Sequence, residues 1–157
     1  FITTVLHNPK LLIFDEPFSG FDPVNADILK KEILALKDKG ATIIFSTHNM
    51  STVEDLCENI SLVDKAKIVL QGNVAEIRAS YATNTYLLRS RKPIVTDGFE
   101  ILETSERNGI QEVIIKKTDN DTNNSLLAGL MKQTEILSFD EILPSMNDIF
   151  IQTVQPK

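Results

Sequence analysis

Three stretches of the 157-residue chain carry side chains suited to work on a phosphate or on a water molecule. Asp15 and Glu16 are adjacent carboxylates at the end of the apolar run Leu11-Leu12-Ile13-Phe14, and Pro17 closes the run. Ser19-Gly20-Phe21-Asp22 follows directly, and His48 comes just after a second apolar run, Ala41–Ser46. Neighbouring residues on a strand point to opposite sides of the pleat. Two carboxylates at a strand tip can therefore divide their labour, one holding a metal ion and the other facing a water molecule. Phosphoryl transfer calls for parts of this kind: a carboxylate for Mg²⁺, a group to orient the attacking water, and donors for the γ-phosphate charge. Each residue also has a plainer reading. The acids can be a solvated strand end, Asp22 a helix N-cap and His48 a surface imidazole. His7 precedes the helix-ending Asn8-Pro9 and reads as structural. Cys57 reads as a small core residue, with a reactive thiol as the alternative.

Several elements have to place these side chains. An unbroken apolar run such as Leu11–Phe14 suits a strand buried on both faces, as in a parallel sheet covered by helices. Open α/β sheets gather their ligands at the carboxyl ends of such strands. Before it, Phe1 to His7 reads as a helix end. After it, Asp22 as N-cap and Pro23 at the first helical position start a helix that runs to about Lys39. Ile28, Leu29, Ile33 and Leu36 form its expected buried side, and Gly40 is its C′ residue. Ala41–Ser46 is the second buried strand, parallel to the first. Ser51-Thr52-Val53-Glu54 has capping-box spacing and is expected to open a short helix. Ile60–Val63 and Lys67–Gln71 read as a hairpin, and Val74–Ser80 as a helix.

The pattern changes near Ser80. Residues 85–90, 99–103 and 112–117 are short β-type runs. A helix is expected from about Ser125, with Leu126, Leu127, Leu130 and Met131 as its stripe. Ile136–Phe139 reads as a strand. Ser145 with Asp148 three positions on predicts a last helix, with Met146, Ile149, Phe150 and Val154 on one face. The expected organisation is thus an α/β region over 1–80 and a small α+β domain over 81–157, with no internal repeats or low-complexity segments.

Composition sets further bounds. The chain is 42% hydrophobic and 24% charged, ordinary values for a globular domain. The net charge of -6 is spread evenly, 11 acidic against 8 basic residues in 1–80 and again in 81–157. With no basic half or charged tail, general nucleic-acid binding is not expected. A single cysteine rules out an internal disulfide, which fits a reducing compartment. No apolar run approaches the roughly 20 residues that span a bilayer.

The order Leu11–Pro17, Ser19–Asp22 and Ser46-Thr47-His48, at suitable spacing, resembles the ATP-binding subunit of ABC transporters over residues 1 to about 80. The fold this implies is part of a P-loop NTPase-type sheet. By that resemblance Leu11–Asp15 is the Walker B strand. Asp15 binds Mg²⁺ through water, Glu16 is the catalytic carboxylate that polarises the hydrolytic water, and His48 is the switch histidine that contacts the γ-phosphate. Ser19, Gly20 and Asp22 belong to the D-loop, which meets a second ATPase subunit across a dimer sandwiching ATP. Phe21 departs from the family's more usual Leu. The family's phosphate-cradling G-x-x-x-x-G-K-[ST] loop, its glutamine loop and its signature segment do not occur in these residues. The chain is therefore expected to be the later part of a longer protein and inactive by itself. Residues 81–157 resemble the accessory domain that follows the ATPase core in a bacterial and archaeal subset of exporters. The resemblance implies an ATP-hydrolysing subunit in the cytoplasm, peripheral on the inner face of the cell membrane through membrane-spanning transporter subunits. Two alternatives stand beside it: a soluble ABC-type ATPase acting on DNA or ribosomes, and a non-enzymatic interaction module.

Overall fold

The computed structural model describes residues 1–94, 99–118 and 122–155. The chain divides into two compact units, Phe1–Val74 with the C-terminal stretch from Phe150, and Ala75–Ile149. In the first, α1 (Ile2–Val5) precedes Asn8-Pro9, and β1 (Leu11–Asp15) follows. The helix α2 (Pro23–Asp38) starts as the sequence predicts, with Asp22 as N-cap and proline in its first turn. It ends at Asp38 with Lys39 as C-cap, and Gly40 adopts φ 94°, a left-handed conformation glycine takes without steric cost. The strand β2 (Thr42–Ser46) pairs with β1 in parallel, in register from Leu11 opposite Thr42 to Asp15 opposite Ser46. Equal lengths and flush register set the two carboxyl ends side by side.

The expected burial of this sheet on both faces is not observed. Leu12 is 2% exposed, but Leu11, Ile13 and Ile44 are 51%, 70% and 54% exposed. β1 and β2 make a sheet of two strands, and α2 packs against β2. By strand alternation Leu11, Ile13 and Asp15 share one face and Leu12 and Phe14 the other, so the face bearing Ile13 and Ile44 is the open one. Ile28 is likewise exposed, contrary to expectation: α2 buries Leu29 and Ile33, an i, i+4 stripe, and Ile28 lies one residue off it.

The helix α3 (Met50–Leu56) begins earlier than its sequence signal suggests. Asn49, not Ser51, is the N-cap, because its Oδ1 accepts from the backbone N–H groups of Ser51 and Thr52 at 3.0 and 3.2 Å. Asparagine caps at least as well as serine and comes first in the chain. Lys30 on α2 donates to Asp55 on α3 at 2.9 Å. The strands β3 (Asn59–Asp64) and β4 (Lys67–Asn73) form an antiparallel hairpin. Lys65 and Ala66 at its tip have φ of 47° and 61°, the paired left-handed residues of a two-residue hairpin turn.

The second unit is entered along α4 (Val74–Ser80). It contains β5 (Thr85–Ser90), β6 (Glu100–Arg107), β7 (Ile110–Lys116), α5 (Asn123–Leu130), β8 (Ile136–Glu141) and the start of α6 (Met146–Val154). The four strands form an antiparallel sheet in the order β6-β7-β5-β8. Alternate residues Tyr86 and Leu88 of β5 and Val113 and Ile115 of β7 bury one sheet face with Leu126 and Leu130 of α5. The rings of Tyr86 and Phe139 stack at 4.7 Å. Thr122 and Ser125 open α5 with a reciprocal capping box. Met131 stands outside the expected stripe, at the C-cap and 68% exposed. Ser145 and Asp148 cap α6 reciprocally as predicted: the Ser145 hydroxyl accepts from the Asp148 N–H, and the Asp148 carboxylate accepts from the Ser145 N–H. Arg78 Nε donates to the Pro144 carbonyl at 2.9 Å.

Candidate functional site

Flush pairing of β1 with β2 brings the predicted residues of two sequence regions together at one sheet end. Ser46, opposite Asp15, donates its hydroxyl to Asp15 Oδ1. The same Oγ accepts from the Glu16 N–H at 3.1 Å, and that N–H also reaches the Ser46 carbonyl at 3.2 Å. Glu16 has φ 43°. Side chains other than glycine avoid that region unless their surroundings enforce it, and such residues gather at functional sites. The turn swings the Glu16 side chain off the line of β1 and toward the residues that follow β2.

There Glu16 meets His48. Glu16 Oε1 accepts from the His48 backbone N–H at 3.0 Å and lies 2.7 Å from His48 Nδ1. A carboxylate can only accept, so Nδ1 carries the shared proton and Nε2 is left on the far side of a ring that is 86% exposed. Thr47 Oγ1 approaches Glu16 Oε2 at 3.3 Å and accepts from the Asn49 N–H at 3.1 Å. The hydrogen bond from His48 holds the Glu16 carboxyl below the ordinary glutamate value. Desolvation opposes it, and the imidazole charge, the His48 N–H and Thr47 add to the lowering. Glu16 is thus an ionised acceptor at neutral pH, aimed by donors on one side.

The predicted loop residues are placed differently. Ser19 bonds its backbone N–H to the Glu16 carbonyl at 3.1 Å, which turns the chain at the strand tip. Gly20 has φ 80°, a left-handed conformation that favours glycine. Asp22 is engaged by its own helix: it accepts from the N–H groups of Val24 and Asn25 at 3.0 and 3.1 Å and from Asn25 Nδ2 at 2.5 Å. The Asn25 side chain, then its N–H, hold the Asp22 carboxyl below the ordinary aspartate value. None of the Asp22 contacts reaches Glu16 or His48. Asp22 thus serves as the N-cap of α2.

A metal site made by protein ligands alone is absent among the described residues, where no group of three or more His, Cys, Asp or Glu side chains converges. Mg²⁺ asks for less: one or two carboxylates, with waters and substrate phosphates completing the octahedron. Asp15 Oδ1 is taken by Ser46, and Oδ2 has no hydrogen-bond partner among the described residues. That donor set fits a cation held through water beside a phosphate. Sequence reading named Asp15, Glu16 and His48 but missed Ser46 and Thr47 as parts of the site. The available signal was positional, since hydroxyl residues at the end of the strand paired with β1 must face its terminal acids. Cys57 takes no part, and its partial burial raises the thiol above its ordinary range, as a packed, unreactive cysteine requires. Among the described residues, no helix is long and apolar enough to cross a membrane.

Comparison with known proteins adds a second line. Residues 72–154 match the family model of the ATP-binding protein DrrA1-3-like C-terminal domain. The uncharacterized ABC transporter ATP-binding protein YhaQ of Bacillus subtilis is 38% identical over 159 residues, covering 98% of this chain and 52% of that protein. A relative from Mycobacterium tuberculosis, the fluoroquinolones export ATP-binding protein, is 40% identical over 78 residues, 50% of this chain and 26% of the relative. The chain thus spans about half the length of the curated relatives that it matches along nearly its whole sequence. Among solved structures, an ATP-binding subunit of an ABC transporter matches 48% of this chain and 32% of its own, at 34% identity and a TM-score of 0.45.

Proposed function

This chain belongs to the ABC transporter ATP-binding proteins that carry a DrrA1-3-like C-terminal domain, and from that premise we propose that it supplies the hydrolytic edge of an ATP site that drives an exporter. The observation that carries the reading is the convergence of Asp15, Glu16 and His48 at the adjacent ends of β1 and β2. Glu16, ionised and anchored by His48, orients the attacking water and accepts its proton as the oxygen approaches phosphorus. His48 keeps Glu16 aimed through Nδ1 and offers its exposed Nε2 side to the γ-phosphate. Asp15 would help to hold a bound Mg²⁺ through water, on the carboxylate oxygen that Ser46 does not take. Mg²⁺, when bound, neutralises charge on the β- and γ-phosphates. Ser19, Gly20 and Asp22 shape the turn that meets a second ATPase subunit. ATP needs a phosphate cradle as well, and that cradle comes from sequence outside these 157 residues. The polypeptide alone therefore does not turn ATP over.

The wider assignment follows from the same premise. The partners are membrane-spanning transporter subunits and a second copy of the ATPase, and the location is the cytoplasmic face of the membrane. Export, rather than uptake, is supported by the relative named for fluoroquinolone export. Residues 81–157 act as a structural or dimer-supporting module; among the described residues no group of three or more His, Cys, Asp or Glu side chains converges there. Phosphate release tests the proposal. In a full-length chain joining these residues to a phosphate-binding segment, Glu16→Gln should abolish Mg²⁺-dependent turnover and leave ATP binding intact. Unchanged turnover in that variant would overturn the role of Glu16. Turnover by residues 1–157 alone that vanishes in Glu16→Gln would overturn the split site.

A further inference from the structure

Two carboxylates on consecutive residues of a strand diverge only as far as the pleat takes them. At this sheet end something further separates their tasks. Glu16 leaves the strand through a left-handed φ of 43°, while Asp15, one residue earlier, still pairs with Ser46 in regular register. One hydroxyl touches both: Ser46 Oγ donates to Asp15 Oδ1 and accepts from the Glu16 N–H at 3.1 Å. A serine hydroxyl has one hydrogen and two lone pairs. Giving the hydrogen to Asp15 leaves lone pairs for the amide of Glu16, so both contacts coexist without competing. The amide is also shared with the Ser46 carbonyl at 3.2 Å, a three-centre bond that both acceptors on Ser46 reinforce.

We propose that Ser46 is the positioning residue of the site: its hydroxyl fixes the angle between Asp15 and Glu16, so that one carboxylate faces the metal shell and the other the attacking water. The inference rests on the assignment of Glu16 as the water-orienting carboxylate. The Asp15 contact holds one oxygen and leaves the other for the metal-bound water. The amide contact stabilises the left-handed turn at Glu16, which otherwise opposes side-chain and carbonyl sterics. Without the hydroxyl the Glu16 amide keeps only its 3.2 Å bond to the Ser46 carbonyl, and the turn is held less firmly. The Glu16 carboxylate then loses its approach to His48, whose contacts with it at 2.7 and 3.0 Å depend on the turn.

The test compares two substitutions of similar shape. Ser46→Thr keeps the hydroxyl and Ser46→Val removes it, and both β-branched residues suit a strand. In the full-length ATPase, Ser46→Thr should keep kcat within about twofold, whereas Ser46→Val should lower kcat roughly ten- to a hundredfold, the scale of a misaligned catalytic group. KM for ATP should change little, because the loss falls on the transition state. A second readout needs no turnover. In residues 1–157, the Glu16 amide should exchange with solvent faster in Ser46→Val than in Ser46→Thr, with the rest of β1 unchanged. Equal kcat and equal Glu16 exchange in the two variants would overturn the proposal, as would uniform destabilisation of β1 with no kcat-specific loss. Glu16→Gln is the control for the underlying reading. If it leaves turnover intact, the catalytic assignment fails; if it abolishes turnover and Ser46→Val does not slow it, only the role of Ser46 fails.

Discussion

The sharpest test of the architecture is a pair of truncations one residue apart, Leu12→Ala and Ile13→Ala. Both residues lie in β1, both substitutions remove three carbons, and the sequence offers no reason to separate them. The structure separates them fully: Leu12 is 2% exposed and Ile13 is 70% exposed. Each buried carbon contributes about 0.8 kcal/mol, so Leu12→Ala forfeits about 2.4 kcal/mol of burial, and the cavity left behind raises the cost to roughly 3 to 4 kcal/mol. For Ile13, with under a third of its surface covered, the same bookkeeping yields about 0.7 kcal/mol and leaves no cavity. Hydrogen exchange of the β1 and β2 amides, resolved by NMR, reads the difference locally, where a global melt would mix the two units. Leu12→Ala should speed exchange of the most protected β1–β2 amides by two orders of magnitude or more, about 1.4 kcal/mol per tenfold. Ile13→Ala should change it about threefold. If the two variants lose protection equally, β1 is covered on both faces and the open-faced sheet described above is wrong.

Other expectations are simpler to state. Glu16 should titrate below ordinary glutamate, and His48→Ala should move it back up; residue-resolved carbon NMR of the carboxyl checks both. A carboxyl whose folded pKa is depressed contributes stability above its unfolded pKa and loses it as pH falls through the folded value. The Glu16–His48 contact should therefore stabilise β1–β2 at neutral pH and let go in acid below the ordinary glutamate range, as an acid titration of β2 amide shifts would reveal. Asp22→Ala should speed exchange of the Val24 and Asn25 amides several-fold, while Asp22→Asn, which can still cap, should largely spare them. In the second unit, Leu88→Ala at a fully buried position of a central strand should cost about 3 kcal/mol in urea unfolding. A loss under about 1 kcal/mol would contradict the core assigned to Tyr86, Leu88, Val113 and Ile115.

Much of this protein is written in local sequence, because the signals are local in their physics. Asp22-Pro23 states a helix start through one side chain and one ring, and Gly40 states its end. Ser145 and Asp148 form their reciprocal cap within four residues. The apolar runs that become β1 and β2 declare strands, and adjacent acids at one tip with a histidine at the other declare a charged sheet end. Membership of a transporter-ATPase family follows from those motifs taken in order.

What the chain alone leaves open depends on contacts between distant residues. Whether Leu11–Phe14 is covered on one face or two is decided by how many strands and layers meet it, and Ile13 is open because the sheet has two strands and one helical cover. Ile28 looks like core by spacing yet falls outside the stripe that α2 buries. Ser46 is an unremarkable hydroxyl until flush register sets it opposite Asp15, thirty-one residues away. Only then does it touch both carboxylates. Sequence names the groups capable of the chemistry, and the register of two parallel strands decides which of them meet.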